Sequence, residues 1–314
     1  MPEAAMHLDA ADEAAAPRPG LPGLYCELTK IRLSGLVVFT TAVGFVMASP
    51  FGVNWGTLCW TLLGTMLSAA AAAALNQVVE QTRDGRMRRT LSRPLPASHL
   101  STTHAFVVGL LLAYAGTCVL AFGANPASAG IGLATILLYV LVYTPLKAKT
   151  SLNTIIGAVV GALPPVLGWI AASGAMATGA WLLAAILFTW QLPHFLALAW
   201  MYRDDYRRGG FRMLPVLDTS GELTGRVCVI TSLALCPLAL AMTMIGIEGL
   251  LFGIVGCGLG LWMTYRSVIL WRTRDTHAAK QLFLASITYL PLLLIVMLLD
   301  RQTVEWIDTA SLLP

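Results

Sequence analysis

Three oxygen-bearing side chains, Asn76, Glu80 and Asp84, recur at every fourth position. On a helix they fall along one face, drifting about 40° per step. A row of this kind suits a hard divalent cation. Mg²⁺ takes one or two carboxylates, fills the rest of its shell with phosphate oxygens and keeps several waters. Directly downstream stand Arg86, Arg88, Arg89 and Arg93, whose guanidinium groups match phosphate geometry. Acids followed by bases are what a metal-bridged diphosphate would need. The same pattern also describes an ordinary basic loop with paired charges. A second cluster reads Arg203-Asp204-Asp205-Tyr206-Arg207-Arg208. Its two acids either hold a second metal or balance the neighbouring arginines. His194 follows Pro193 inside an apolar segment. An ionisable residue in such a place is a functional candidate, or a neutral imidazole bonded to a neighbouring helix. Lys147 and Lys149 form a third, smaller basic loop after Tyr143.

The elements that carry these residues follow from composition. Of 314 residues only 11% are charged, while 57% are apolar and mean hydropathy is +0.74. Too few charges are present to cover a soluble surface, and too much apolar surface to leave a chain disordered. The class that remains is an integral membrane protein. Residues 33–79, 94–146 and 150–202 contain no Asp, Glu, Lys or Arg. A spanning helix needs about 20 apolar residues, so each run fits a hairpin of two. The pattern predicts an all-α bundle of nine transmembrane helices, near 33–49, 56–79, 103–122, 127–144, 153–172, 180–201, 227–247, 250–270 and 281–299.

The connections alternate in character. Those near 50–55, 123–126 and 173–179 are uncharged, and that near 248 carries only Glu248. Those near 80–93, 145–152, 202–226 and 271–280 are rich in Lys and Arg. The positive-inside rule puts the basic set and the N-terminus in the cytoplasm, with Arg301 the lone base outside. The net charge of +4 then follows topology and gives no reason to expect nucleic acid as a partner. Residues 1–25 read as a flexible cytosolic lead-in and residues 26–314 as one nine-helix domain. The acidic lead-in fits neither a signal peptide nor a transit peptide, which favours a bacterial inner membrane. The six cysteines form no C-x-x-C pair and read as small apolar residues. Spans two and six each run into a long charged loop, which suggests two related four-helix groups and a ninth helix. In span five, Gly157 and Gly161 allow close helix approach, and Pro164-Pro165 predicts a kink.

Several strings together resemble the UbiA-type intramembrane prenyltransferases, most closely their haem-farnesylating branch. They are N-x-x-x-E-x-x-x-D-x-x-M-x-R-T-x-x-R-P-L-P at 76–96, Y-T-P-L-K at 143–147, G-A-x-P-P-x-x-G-W at 161–169, P-H-F-x-x-L at 193–198, and D-Y-x-x-G-G with M-L-P-V at 205–216. The resemblance implies transfer of a farnesyl group from farnesyl diphosphate to a vinyl group of haem B, giving haem O and diphosphate, with Mg²⁺ as cofactor. It implies Asn76, Glu80 and Asp84 as metal-diphosphate ligands and Asp204 with Asp205 as a second acidic site, Asp205 as the metal ligand. Arg88, Arg89, Arg93, Lys147 and Tyr143 would hold phosphate oxygens. His194 would ligate haem iron or act as a base. A haem A synthase is the partner implied downstream. Two positions depart from common members: Glu80 stands where many carry Asp, and Gly209 follows Asp205 where a second Asp is frequent. A quinone-precursor or chlorophyll-type acceptor is the alternative, which P-H-F at 193–195 disfavours. A transporter also has broken spans, but its polar residues would cluster at the midplane.

Overall fold

The computed structural model describes residues 20–302, which are helical throughout apart from turns and one isolated bridge. Most of the expected N-terminal lead-in therefore lies outside the described residues. A short helix α1 (Leu21–Leu28) leads into α2 (Ile31–Met47) across a 49° bend. Then come α3 (Trp55–Asp84), α4 (Thr102–Gly123), α5 (Pro126–Leu146), α6 (Asn153–Ser173) and α7 (Thr178–Met201). Two short helices, α8 (Arg203–Arg208) and α9 (Leu214–Leu217), lie in the second charged loop. The chain ends in α10 (Glu222–Met244), α11 (Leu250–Thr273) and α12 (Thr276–Leu299). Eight of these are long and apolar enough to cross a membrane, and the bent α1–α2 pair makes a ninth candidate.

Two boundaries depart from the sequence expectation in ways that matter. The first span begins earlier, because α1 turns at Thr29-Lys30 and Lys30 adopts a left-handed backbone (φ 47°). Gln77 pins that corner by donating to the carbonyls of Glu27 and Leu28, both at 3.0 Å. The second span runs on to Asp84, making α3 30 residues long. At about 1.5 Å per residue it measures about 45 Å, well beyond a bilayer's apolar thickness. The acids of the first charged segment are therefore helical, not looped. Local capping fixes the starts: Asn54, Ser101, Asn125 and Asp275 each accept a backbone N–H two or three residues into the following helix.

Close packing is set by small residues. A Cβ on Gly44 would strike the backbone carbonyl of Pro165, and one on Gly168 would strike that of Thr41. So α2 and α6 approach almost backbone to backbone. Gly157 and Gly161 face something else. Added carbons there would meet the Tyr143 ring and the Gln191 amide, so these glycines make room for polar side chains. Within α5 the residues Leu138–Tyr143 form a π-helical turn. Thr144 then donates its hydroxyl to the Tyr139 carbonyl at 2.8 Å. At the end of the bundle away from the charged loops, Arg301 donates to the carbonyls of Val46 and Ser49. Beside it Asp300 accepts from the Phe252 amide at 2.7 Å. Glu248 is buried there with no hydrogen bond to either carboxylate oxygen.

Candidate functional site

The last turns of α3 carry Asn76, Glu80 and Asp84 into the protein interior, 0%, 4% and 1% exposed. Each has its own partner. Asn76 accepts from the Lys30 ammonium at 3.1 Å and donates to Thr144 Oγ1 at 3.0 Å. Glu80 Oε1 lies 2.9 Å from the Lys147 ammonium, which donates its hydrogen bond to Oε2 at 3.2 Å. Asp84 Oδ2 accepts from Arg93 at 2.6 Å. Asp84 Oδ1 is buried with no hydrogen-bond partner. A buried carboxylate oxygen left bare costs on the order of 1–3 kcal/mol, so it marks where an added positive group would be stabilised.

Lys147 sits over the Tyr143 ring, 4.7 Å from its centroid. Burial alone would favour the neutral amine. The Glu80 carboxylate outweighs it, and Lys147 is held protonated above the ordinary lysine range. The site is thus a ladder of alternating charge, Lys30, Glu80, Lys147, Asp84 and Arg93, its acids buried and its bases half-buried.

The second charged loop closes over the first. Asp205 accepts from the backbone amides of Arg88 and Arg89, both at 3.3 Å, and from the Arg208 side chain. Burial works against its charge, but these hydrogen bonds prevail and hold its pKa below the usual aspartate value. Arg83 donates to the carbonyls of Gly209 and Gly210 at 3.2 Å. Arg212 ties in the third loop through its amide to the Lys147 carbonyl at 2.7 Å. Arg89 bonds Tyr206 Oη at 3.2 Å and lies over the Tyr202 ring. Arg88 is exposed beside it. Asp204 points outward, 72% exposed at its side chain, and pairs with Arg207 at 3.0 Å. The two acids of this loop therefore differ: Asp205 is turned onto the first loop's backbone and Asp204 toward solvent.

Behind the ladder lies an apolar cavity. Lys30 and Tyr143 stand at its polar end, and Val37, Ala72, Trp190 and His194 are among its walls. Asn76, Glu80, Asp84, Arg93 and Lys147 thus converge at one end, with Tyr143 and His194 on the cavity itself. Lys30 and Gln191, which the sequence reading did not single out, also face it. Lys30 read as one more basic residue ahead of a span. Only the α1–α2 bend turns it inward. Gln191 could have been noticed one helical turn before His194, within a polar pair on an apolar helix.

Among the described residues no three Asp, Glu, His or Cys side chains gather closely enough to cage a metal. A metal here would take one or two carboxylates and complete its shell with ligand oxygens and water, as Mg²⁺ prefers. The bare Asp84 oxygen and the adjacent Glu80 and Asn76 oxygens fit that requirement.

Comparison with known proteins agrees with this architecture. Residues 37–290 match the UbiA prenyltransferase family. A protoheme IX farnesyltransferase of Solibacter usitatus is 42% identical over 286 residues, covering 88% of this chain and 98% of that protein. A digeranylgeranylglyceryl phosphate synthase structure superimposes with TM-score 0.75 at 14% identity, covering 88% and 97% of the two chains. A UbiA homologue of Archaeoglobus fulgidus bound to GPP and Mg²⁺ gives TM-score 0.65 at 14% identity over 87% and 99%. With two helices' worth of motif residues converging on one ladder, and with relatives matching nearly end to end, this chain belongs to the UbiA prenyltransferase family, among the protoheme IX farnesyltransferases.

Proposed function

We propose that the protein transfers the farnesyl group of farnesyl diphosphate to a vinyl group of haem B, giving haem O and releasing diphosphate. The observation that carries this reading is the ladder of Lys30, Glu80, Lys147, Asp84 and Arg93 at the mouth of an apolar cavity. The reading is supported by the relatives named protoheme IX farnesyltransferase. It places the chain in a bacterial inner membrane with its charged loops in the cytoplasm, in keeping with those loops' Lys and Arg content. A haem A synthase would be the partner that consumes the product.

The reaction begins with heterolysis of the bond between farnesyl C1 and the diphosphate oxygen, the electron pair leaving with diphosphate. Asn76, Glu80 and Asp84 would hold Mg²⁺, which supplies charge neutralisation to the departing oxygens. Arg93 and Lys147 would donate to the same oxygens, with Lys30 beside them. Such preorganised donors lower the barrier because they stabilise charge that develops only in the transition state. The apolar walls exclude water from the allylic cation while the vinyl π pair attacks C1. One water then adds its oxygen to the cationic porphyrin-side carbon, becoming the hydroxyl, and releases its other proton to solvent. Asp205, through Arg88 and Arg89, keeps the first loop folded over the site.

The test is direct. The purified protein is incubated with haem B, farnesyl diphosphate and Mg²⁺, and the porphyrins are separated by mass spectrometry. Haem O is expected. Prenylation of a quinone precursor with no haem O would overturn the choice of acceptor.

A further inference from the structure

The next step rests on haem B as acceptor and concerns how the cavity would hold it. His194 in α7 is stacked between Trp190 and Phe283, with ring centroids 5.1 Å and 4.8 Å away. Both faces of the imidazole are covered, so only its edge is reachable. Its Nδ1 lies 2.8 Å from Ser286 Oγ on α12. Ser286 is fully buried, and its hydroxyl donates to the Phe283 carbonyl at 2.6 Å. A hydroxyl has one proton. Spent on the shorter of these two contacts, it leaves only lone pairs toward His194. Nδ1 must then carry the imidazole proton, and Nε2 the free electron pair. Trp190 Nε1 donates to the Ser286 carbonyl at 2.8 Å, which locks α7 to α12 around the ring. Nε2 has no hydrogen-bond partner among the described residues, while the half-buried ring lines the cavity.

We infer that His194 Nε2 is the axial ligand of the acceptor's haem iron, and that Ser286 is the positioning residue that fixes the imidazole in the ligating tautomer. A ligating histidine characteristically donates its other ring N–H to an acceptor, which raises its basicity and sets its orientation. The alternative duty, taking the proton from the added water, is less well served. The chain from Nδ1 through Ser286 ends at a helix carbonyl, which gives a proton no exit. Ligation needs no exit. It also holds the macrocycle by its centre, within a cavity that Lys30 and Tyr143 line as well.

The full-length protein in lipid nanodiscs is titrated with haem B and, separately, with metal-free protoporphyrin, and binding is followed by absorbance and resonance Raman spectroscopy. The wild type should show a histidine-ligated haem spectrum and prefer haem over the metal-free ring. His194→Ala should lose that preference, bind haem about 10-fold or more weakly, and regain the spectrum with added imidazole. Ser286→Ala should keep ligation but shift the iron–histidine stretching band to lower frequency, and Ser286→Thr should restore it. A His194→Ala spectrum identical to that of a wild type that forms haem O would overturn this inference and leave the acceptor reading intact. An unmoved stretching band in Ser286→Ala would overturn the positioning role. If the wild type neither binds haem nor forms haem O, both readings fall.

Discussion

Asp205 and Arg88 meet across the two charged loops, the carboxylate of one accepting the backbone amide of the other at 3.3 Å. The Arg89 amide meets the same carboxylate's other oxygen. Side chain of one loop thereby fixes main chain of the other. Asp205→Asn removes the charge from this clasp and should cut kcat/KM about 10-fold, mainly through a higher KM for farnesyl diphosphate, since charge-assisted hydrogen bonds are worth about 1.5–3 kcal/mol. Asp204→Asn, at an exposed pair, should stay within about 0.5 kcal/mol in both activity and stability. Equal losses in the two variants would refute the distinction. Because the Asp205 pKa is depressed from 3.8, its contribution is present above that pH and disappears as pH falls through the lower folded-state value.

A second expectation concerns the bare oxygen. Asp84→Asn keeps the volume but replaces an anionic acceptor with an amide. Mg²⁺-dependent binding of farnesyl diphosphate, measured by calorimetry, should weaken by about 100-fold, on the order of 3 kcal/mol. Circular dichroism should remain helical. Undiminished Mg²⁺ dependence would remove Asp84 from the metal site.

The glycines of α6 make a third case. Gly157→Ala and Gly161→Ala push into Tyr143 and Gln191, both cavity walls. These side chains can shift, so stability should fall by about 1 kcal/mol while KM rises several-fold. Gly44→Ala meets the Pro165 backbone, which cannot rotate away. It should destabilise by about 1–3 kcal/mol. Thermal denaturation alongside steady-state kinetics separates the two patterns.

A fourth lies at the opposite end. Burial, with Asp300 close by, pushes the Glu248 carboxyl from 4.5 up to about 9. The folded protein thus keeps a proton that the unfolded chain releases. Stability from this group is complete below pH 4.5 and is lost progressively as pH rises toward 9. Glu248→Gln should flatten that decline, raising the apparent Tm at pH 8 by about 2–4 °C for each kcal/mol recovered. A melting curve with the same pH slope in both proteins would contradict it.

The sequence was most informative where physics acts locally. Charge-free runs and basic connections marked the spans, and the i, i+4, i+8 row placed Asn76, Glu80 and Asp84 on one face before any partner was known. It was silent where a residue's meaning depends on a bend. Lys30 faces the cavity only because α1 and α2 meet at 49°, a corner held by Gln77 from a distant helix. Nor can residue types distinguish Asp204 from Asp205, adjacent acids whose directions are set by α8 packing onto another loop. Ser286 is an ordinary residue on an apolar helix until its contact with His194 is seen. In the G-x-x-x-G of α6, spacing announced closeness but not that the gap would be filled by Tyr143 and Gln191.

The π-helical turn at Leu138–Tyr143 holds one more residue than an α-helical turn would. One residue of α-helix is 100° of rotation. That turn therefore takes up a residue without advancing the helix by its usual step, and so keeps Lys147 directed at Glu80. Were the same residues to close into regular α-helix, Lys147 would swing about 100° away from Glu80 without any change in a charged side chain. The Lys147–Glu80 pair would be lost through direction of approach alone, which makes the winding of an unremarkable apolar stretch as consequential as the identity of the lysine it aims.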